Sequence, residues 1–356
     1  MIVFSATQAL TPAIERTRRL LFSPFRWGTF LKLCAVAVFT EGFGGNFSFS
    51  NHTPAAPHPP AGSSPSLSTA PDLSPFHLSP GWIALIAAIV LASLVIGFLL
   101  FYLITRLRFS LFHCLAYQVR ELRPGWNLYR EQANRFFWFN VVVALGFLLL
   151  IALTVLPFVF GFIRMYQASR AGAHFDVPLF LSLFFPLLAL LIVIALLAVS
   201  IDILLRDFML PHFALEDASA GTAWTAVRTR IAAEKGSFFL YAVLRILLPI
   251  AALIALVMVL AIPMLILFGI FAAIFAGFHL LFGPASDMLR IVLEVLLGLA
   301  AVAAGLFLAL CFGGPLSLWV RNFALIFYGG RYPLLGDVLF PPPPPPLFDA
   351  GDAPAV

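Results

Sequence analysis

Charge is scarce in this chain. Only 10% of its 356 residues are Asp, Glu, Lys or Arg, where a soluble globular domain carries about a quarter. Cysteine is scarcer: Cys34, Cys114 and Cys311 have no partners at metal-ligand spacing, which excludes a zinc finger or C-x-x-C redox centre. The sequence also lacks H-E-x-x-H, G-x-S-x-G and a phosphate-binding loop, so the common hydrolase and nucleotide templates fail. No cofactor is implied. No dense basic stretch with interleaved aromatics exists to grip nucleic acid, although the net charge is +5.

Apolar residues are what is there. They make up 62% of the chain, with 39 Phe. Folding alone cannot hide so much apolar surface, but a bilayer can. A bilayer core takes about 20 apolar residues as helix, because lipid cannot satisfy an unpaired backbone. The expected fold is therefore an all-α, polytopic transmembrane helical bundle of about six spans. The spans fall near 27–43, 81–105, 137–160, 178–201, 237–283 and 288–313, within a membrane domain over 27–335. The run 27–43 follows a long basic stretch and contains Lys32. It reads as a retained span rather than a cleaved leader. The stretch 237–283 contains Pro249 and Pro263. It reads as one kinked helix with a break around Pro263 and Gly269; a hairpin there would give seven spans.

Basic residues alternate between connections. Residues 1–26 hold four Arg, 44–80 hold no Lys or Arg, and 106–136 hold Arg106, Arg108, Arg120, Arg123, Arg130 and Arg135. The positive-inside rule then puts the N-terminus in the cytoplasm. Residues 44–80, rich in Pro and Ser, read as a disordered external loop, and 336–356, with Pro341–Pro346, as a disordered proline-rich tail. The amphipathic N-terminus 1–26 carries an interfacial helix within 5–23. A Pro-Gly turn is expected at 122–128. In the run 222–233, Trp224, Val227 and Ile231 share a face.

Ionisable residues inside spans mark function by default. Lys32, Glu41, Arg164 and Asp202 lie close enough to span ends to snorkel. Arg245, His279 and Glu294 are the candidate intramembrane polar sites, and in a six-span arrangement Arg245 and Glu294 lie towards opposite faces. The connection 202–236 forms a second candidate, a cytoplasmic elbow with Asp207, His212, Asp217 and Trp224. His212-Phe-Ala-Leu-Glu-Asp217 fits the H-x4-D spacing in which an Asp orients a basic His, but two fixed positions carry little information. The expectation is a salt-bridged elbow and no enzyme.

Three local patterns carry a resemblance. They are Leu21-Phe-Ser-Pro24-Phe-Arg-Trp27-Gly-Thr-Phe-Leu-Lys32, then Arg206-Asp207-Phe208-Met-Leu-Pro211 with Ala223-Trp224, and Arg321-Asn-Phe-Ala-Leu-Ile-Phe-Tyr328-Gly-Gly-Arg-Tyr-Pro. Over about 20–335 the chain resembles an uncharacterised prokaryotic multipass membrane protein family. That family is similar to the membrane domain attached to some glycerophosphodiester phosphodiesterases. The chain departs from the pattern at 44–80 and at the proline tail, and no segment is large enough for the phosphodiesterase barrel. The resemblance thus implies a membrane domain of the bacterial cytoplasmic membrane without phosphodiesterase activity. Its expected partners are membrane lipids and other membrane proteins, and its expected role is a non-enzymatic scaffold or accessory. A transporter or lipid-handling permease is the alternative, and a lipid-modifying enzyme using His212 and Asp217 a third.

Overall fold

A computed structural model describes residues 4–42, 80–170, 176–282 and 287–341. The expected loop 44–80, except Pro80, and the tail from 342 onward lie outside the described residues. Among the described residues helix is the only extended regular structure. The elements are α1 (Leu10–Phe22), α2 (Trp27–Gly42), α3 (Pro80–Tyr117), α4 (Leu122–Leu128), α5 (Arg130–Arg170) and α6 (Val177–Ile203). A π-helical turn (Leu204–Met209) leads into α7 (Leu210–Leu215), α8 (Ala220–Ala233), α9 (Lys235–Phe282), α10 (Asp287–Gly329) and α11 (Pro333–Leu339).

Five helices are long and apolar enough to cross a membrane, and their most apolar stretches are left almost uncovered by the rest of the chain. They outrun the expected spans. The 48 residues of α9 make a rod of roughly 72 Å at 1.5 Å per residue, more than twice the bilayer core. The helix runs unbroken through Pro249 and Pro263, so the break expected near Gly269 is absent. α2, the first expected span, has 16 residues and falls short of the length that a crossing needs.

The excess length builds a packed base. Buried residues concentrate at 6–40, 105–140, 205–241 and 318–339. From this base project the first part of α3, the α5–α6 hairpin and the α9–α10 hairpin. Phe162 meets Phe180 at 5.8 Å in the first hairpin. Hydrocarbon-like surface is therefore segregated from a protein-like core along the same helices.

Caps lock the base. Arg16 of α1 donates to the carbonyls of Leu115 (2.9 Å) and Ala116 (2.6 Å) at the end of α3, and to Leu339 (3.0 Å). Arg120 returns the favour to Pro24 (2.7 Å) and Ser23, just past α1. Each guanidinium satisfies orphan carbonyls and opposes the negative end of a helix dipole. The amphipathic helix expected at the interface thus packs on protein: Ala13, Thr17, Leu20 and Leu21 are buried and Ile14 is exposed.

Three other expectations change. The Pro-Gly turn at 122–128 is the short helix α4, since proline is tolerated in a first turn. Gly125 lets α4 press on α3, where a Cβ would sit 2.7 Å from the His113 Cβ. On α8 the buried stripe runs through Ala223 and Val227 with Ile231 beside it, and Trp224 is turned outward. The expected tail begins inside α11, because Leu335, Gly336 and Leu339 are buried in the base.

Candidate functional site

The π-helical turn organises the centre of the base. Pro211 stands four residues after Asp207 and can neither donate to its carbonyl nor fit its ring beneath it. The helix widens there into a π turn, a form often found at functional positions. Arg206 and Asp207 both end up buried.

Asp207 is surrounded by donors. It accepts from Arg321 Nη1 at 2.6 Å, Tyr241 OH at 2.7 Å and Arg245 Nε at 2.8 Å. Arg245 Nη2 reaches on to Glu41 at 3.2 Å. Arg206 pairs with that same Glu41 and, at 2.8 Å, with Asp202. Four helices and the π turn thus meet through one connected network. An aromatic layer closes one flank: Tyr241 stacks on Phe327 at 4.4 Å and on Phe323 at 5.3 Å, and Phe208 meets Tyr328 at 5.0 Å. Such walls keep water off the carboxylate and strengthen every charge contact inside.

Arg108 adds a fourth guanidinium. It is 7% exposed, and its one hydrogen bond among the described residues runs from Nε to the Thr40 carbonyl at 3.4 Å. Arg108, Arg206, Arg245 and Arg321 stand against Glu41, Asp202 and Asp207, so the centre holds one cation more than its carboxylates balance.

The elbow forms a second polar group below the first. His212 is fully buried. Its Nδ1 lies 3.2 Å from Glu216 Oε2 and its Nε2 lies 2.7 Å from Tyr328 OH. An ionised carboxylate only accepts, so Nδ1 donates to Glu216 and Nε2 accepts from Tyr328. Tyr332 covers the imidazole at 4.2 Å, and the Arg230 guanidinium lies 5.0 Å from the Tyr332 ring centre and 3.4 Å from His212 Nε2. A His, a carboxylate and a phenol are acid–base groups by chemistry, and here the imidazole is fully buried among them.

The carboxylate beside His212 is Glu216 and not Asp217. Asp217 sits at φ 54°, turns away from the imidazole and pairs with Arg135 at the surface. In the turn that ends α7, residues four apart share a face and residues five apart do not. Asp217→Asn is expected to change stability by less than about 0.5 kcal/mol, as exposed pairs contribute little and Asn accepts the left-handed backbone. His212→Ala is expected to cost about 2–4 kcal/mol through lost packing and the buried Tyr328 hydroxyl left unpaired. Thermal melting of the two variants in one detergent checks both; equal losses would remove this distinction.

The other sequence candidates separate. Arg245 joins the central network. Glu294 lies on the same helix as Arg321 but roughly 40 Å away along its axis, so it belongs to the far ends of the helices. His279 lies within α9, and its side chain is outside the described residues. Trp224 is exposed, 46%, and takes no part in the elbow. Glu41 and Asp202 do not snorkel outward but turn into the network. Arg108, Tyr241, Arg321 and Tyr328 complete these sites and were not among the candidates. The usable signal was that apolar residues persist around each arginine after its span ends, as in Phe109–Ala116 and Phe323–Tyr328. Among the described residues no three His, Cys, Asp or Glu side chains gather as a metal site.

Long apolar helices rooted in a small polar-centred base define a polytopic helical membrane protein. The chain belongs to the family of unknown function DUF7544, whose sequence profile matches residues 4–338. Comparison with curated proteins and with solved structures returns no match.

Proposed function

We propose that this protein is a non-enzymatic scaffold or accessory of the bacterial cytoplasmic membrane, with its N-terminus and base on the cytoplasmic side. The observation that carries the reading is where the central charges go. Glu41, Arg206, Asp207, Arg245 and Arg321 are spent on one another in a packed interior. A transport pathway needs such groups to face a water-filled route. Here they tie helix ends together, while the arms offer uncovered apolar faces to lipid or to partner helices.

Six crossings fit this reading better than five. Phe4 and Phe340 meet at 5.6 Å, so both ends of the described chain lie at the base. The start of α3 projects to the opposite end. Five crossings would leave the ends on opposite sides. In this reading the sixth crossing begins with α2, the span expected at 27–43.

Cysteine labelling of intact vesicles tests both points, with Cys34, Cys114 and Cys311 replaced by Ala. Ser5→Cys and Trp82→Cys are expected to label from opposite faces; labelling from one face overturns the sixth crossing. Leu205→Cys, at the centre, is expected to resist labelling from either side. Labelling from each side in turn would replace the scaffold with a transporter.

A further inference from the structure

A cleft of about 250 Å³ opens between α3, α5 and α6, where the arms leave the base. Phe101, Val143, Phe147 and Ala198 give it apolar walls, and Arg108 and Asp202 give it two opposite charges. We infer that this cleft seats the headgroup of an amine-bearing phospholipid, with the phosphate on Arg108 and the ammonium on Asp202.

Three observations carry this assignment. Arg108 is more than nine-tenths buried, yet among the described residues its guanidinium is committed only to a long contact with the Thr40 carbonyl. It is also the cation that the three central carboxylates leave unbalanced. A buried charge without a partner is costly, and a phosphate from the membrane would supply two charge-assisted hydrogen bonds to the fork of the guanidinium. Asp202 uses one oxygen on Arg206 at 2.8 Å and keeps its side chain 35% exposed. A purely anionic headgroup would meet Asp202 as a like charge. A purely cationic ligand would meet Arg108. A phosphate and a primary ammonium joined by two carbons suit both.

The surroundings select a lipid rather than a free phosphate ester. Beyond the cleft the arms carry Leu145 and Leu197, which are 58% and 45% exposed. The cleft has room for a headgroup, and acyl chains continue along these apolar faces. A trimethylated amine cannot donate to Asp202, which sets phosphatidylethanolamine above phosphatidylcholine.

The test uses the full chain in detergent micelles, titrated with single lipids, with bound lipid counted by native mass spectrometry. Phosphatidylethanolamine is expected to bind about tenfold more tightly than phosphatidylglycerol or phosphatidylcholine. Arg108→Gln is expected to lose about tenfold in phosphatidylethanolamine affinity, and Asp202→Asn to lose the preference over phosphatidylglycerol. Ala198→Phe fills the cleft without touching a charge and is expected to abolish binding, so it carries the test if Arg108→Gln fails to fold. Binding of phosphatidylethanolamine by Ala198→Phe at the wild-type level overturns the site. Equal affinity for phosphatidylglycerol in the wild type overturns the headgroup. Displacement by an equal concentration of soluble phosphoethanolamine overturns the lipid in favour of a free ligand.

Discussion

Asp207→Ala is expected to lower the stability of the folded protein by about 3–5 kcal/mol. The Asp207 side chain is fully buried, and it is the shared acceptor of Arg245, Arg321 and Tyr241. Removing it strands two guanidiniums in the interior, and among the described residues Arg321 has no other carboxylate in hydrogen-bond contact. The loss is comparable to the whole stability of many domains, which is about 5–15 kcal/mol. Asp207→Asn keeps the shape and one acceptor oxygen but removes the charge, and is expected to lose most of the same amount. The informative control removes the network rather than half of it. Replacing Asp207, Arg245 and Arg321 together by Leu, Met and Met leaves Glu41 with Arg206 and is expected to recover most of the loss, since buried ion groups are often replaceable by apolar ones of similar volume. Unfolding in mixed micelles measures all three variants. A single variant as stable as the wild type would show that Asp207 does not hold the base together.

Gly314→Ala is the second large effect, and a steric one. A Cβ at Gly314 would stand 2.2 Å from the Cys34 Cβ and 2.7 Å from the Cys34 Cα. Backbone cannot yield as a side-chain tip can, so α10 and α2 must separate. Overpacking of this kind costs about 1–3 kcal/mol, and a larger residue such as Leu is expected to prevent folding. Small residues let helix backbones approach closely where there is no other strong drive to associate. The adjacent position is the control. At Gly313 a Cβ would meet the Val38 Cγ2 at 3.7 Å, an ordinary contact. Gly313→Ala is expected to be neutral or to stabilise by up to about 1 kcal/mol through helix propensity. Cys34→Gly with Gly314→Ala is expected to recover only part of the loss, because it removes the Cβ and Sγ contacts but leaves the Cα at 2.7 Å. If Gly313→Ala and Gly314→Ala melt alike, the close α2–α10 approach is not what limits stability.

Much of the fold was legible in the residues. The described residues of the apolar runs near 81–105, 137–160, 178–201, 237–283 and 288–313 each lie in a long helix, because sustained hydropathy over such lengths leaves helix as the form with every backbone group paired. What the runs did not mark was where the helices stop. Phe109, Phe112 and Leu115 continue α3 past its span as core, while the same residue types earlier in α3 face outward. Hydropathy does not distinguish lipid from protein as the burying medium.

The site was less legible. Arg245 and Asp207 were visible as unusual charges, yet neither named the other. Glu41 is 165 residues from Arg206, and Asp207 is 114 residues from Arg321. No short motif spans such distances. The H-x4-D spacing pointed at Asp217, and the turn geometry selected Glu216 instead.

The sequence by itself determined that this chain is helical and apolar enough to cross a membrane, because backbone hydrogen bonding and bilayer thickness act on each segment alone. It also determined that charge would be concentrated outside those segments. Only the tertiary structure decided that the helices overshoot into a packed base, and that Asp207 and Glu41 gather the arginines there. Those outcomes depend on which helix ends meet. That is set by close contacts such as Gly314 on Cys34, and by the cost of leaving any one buried charge alone.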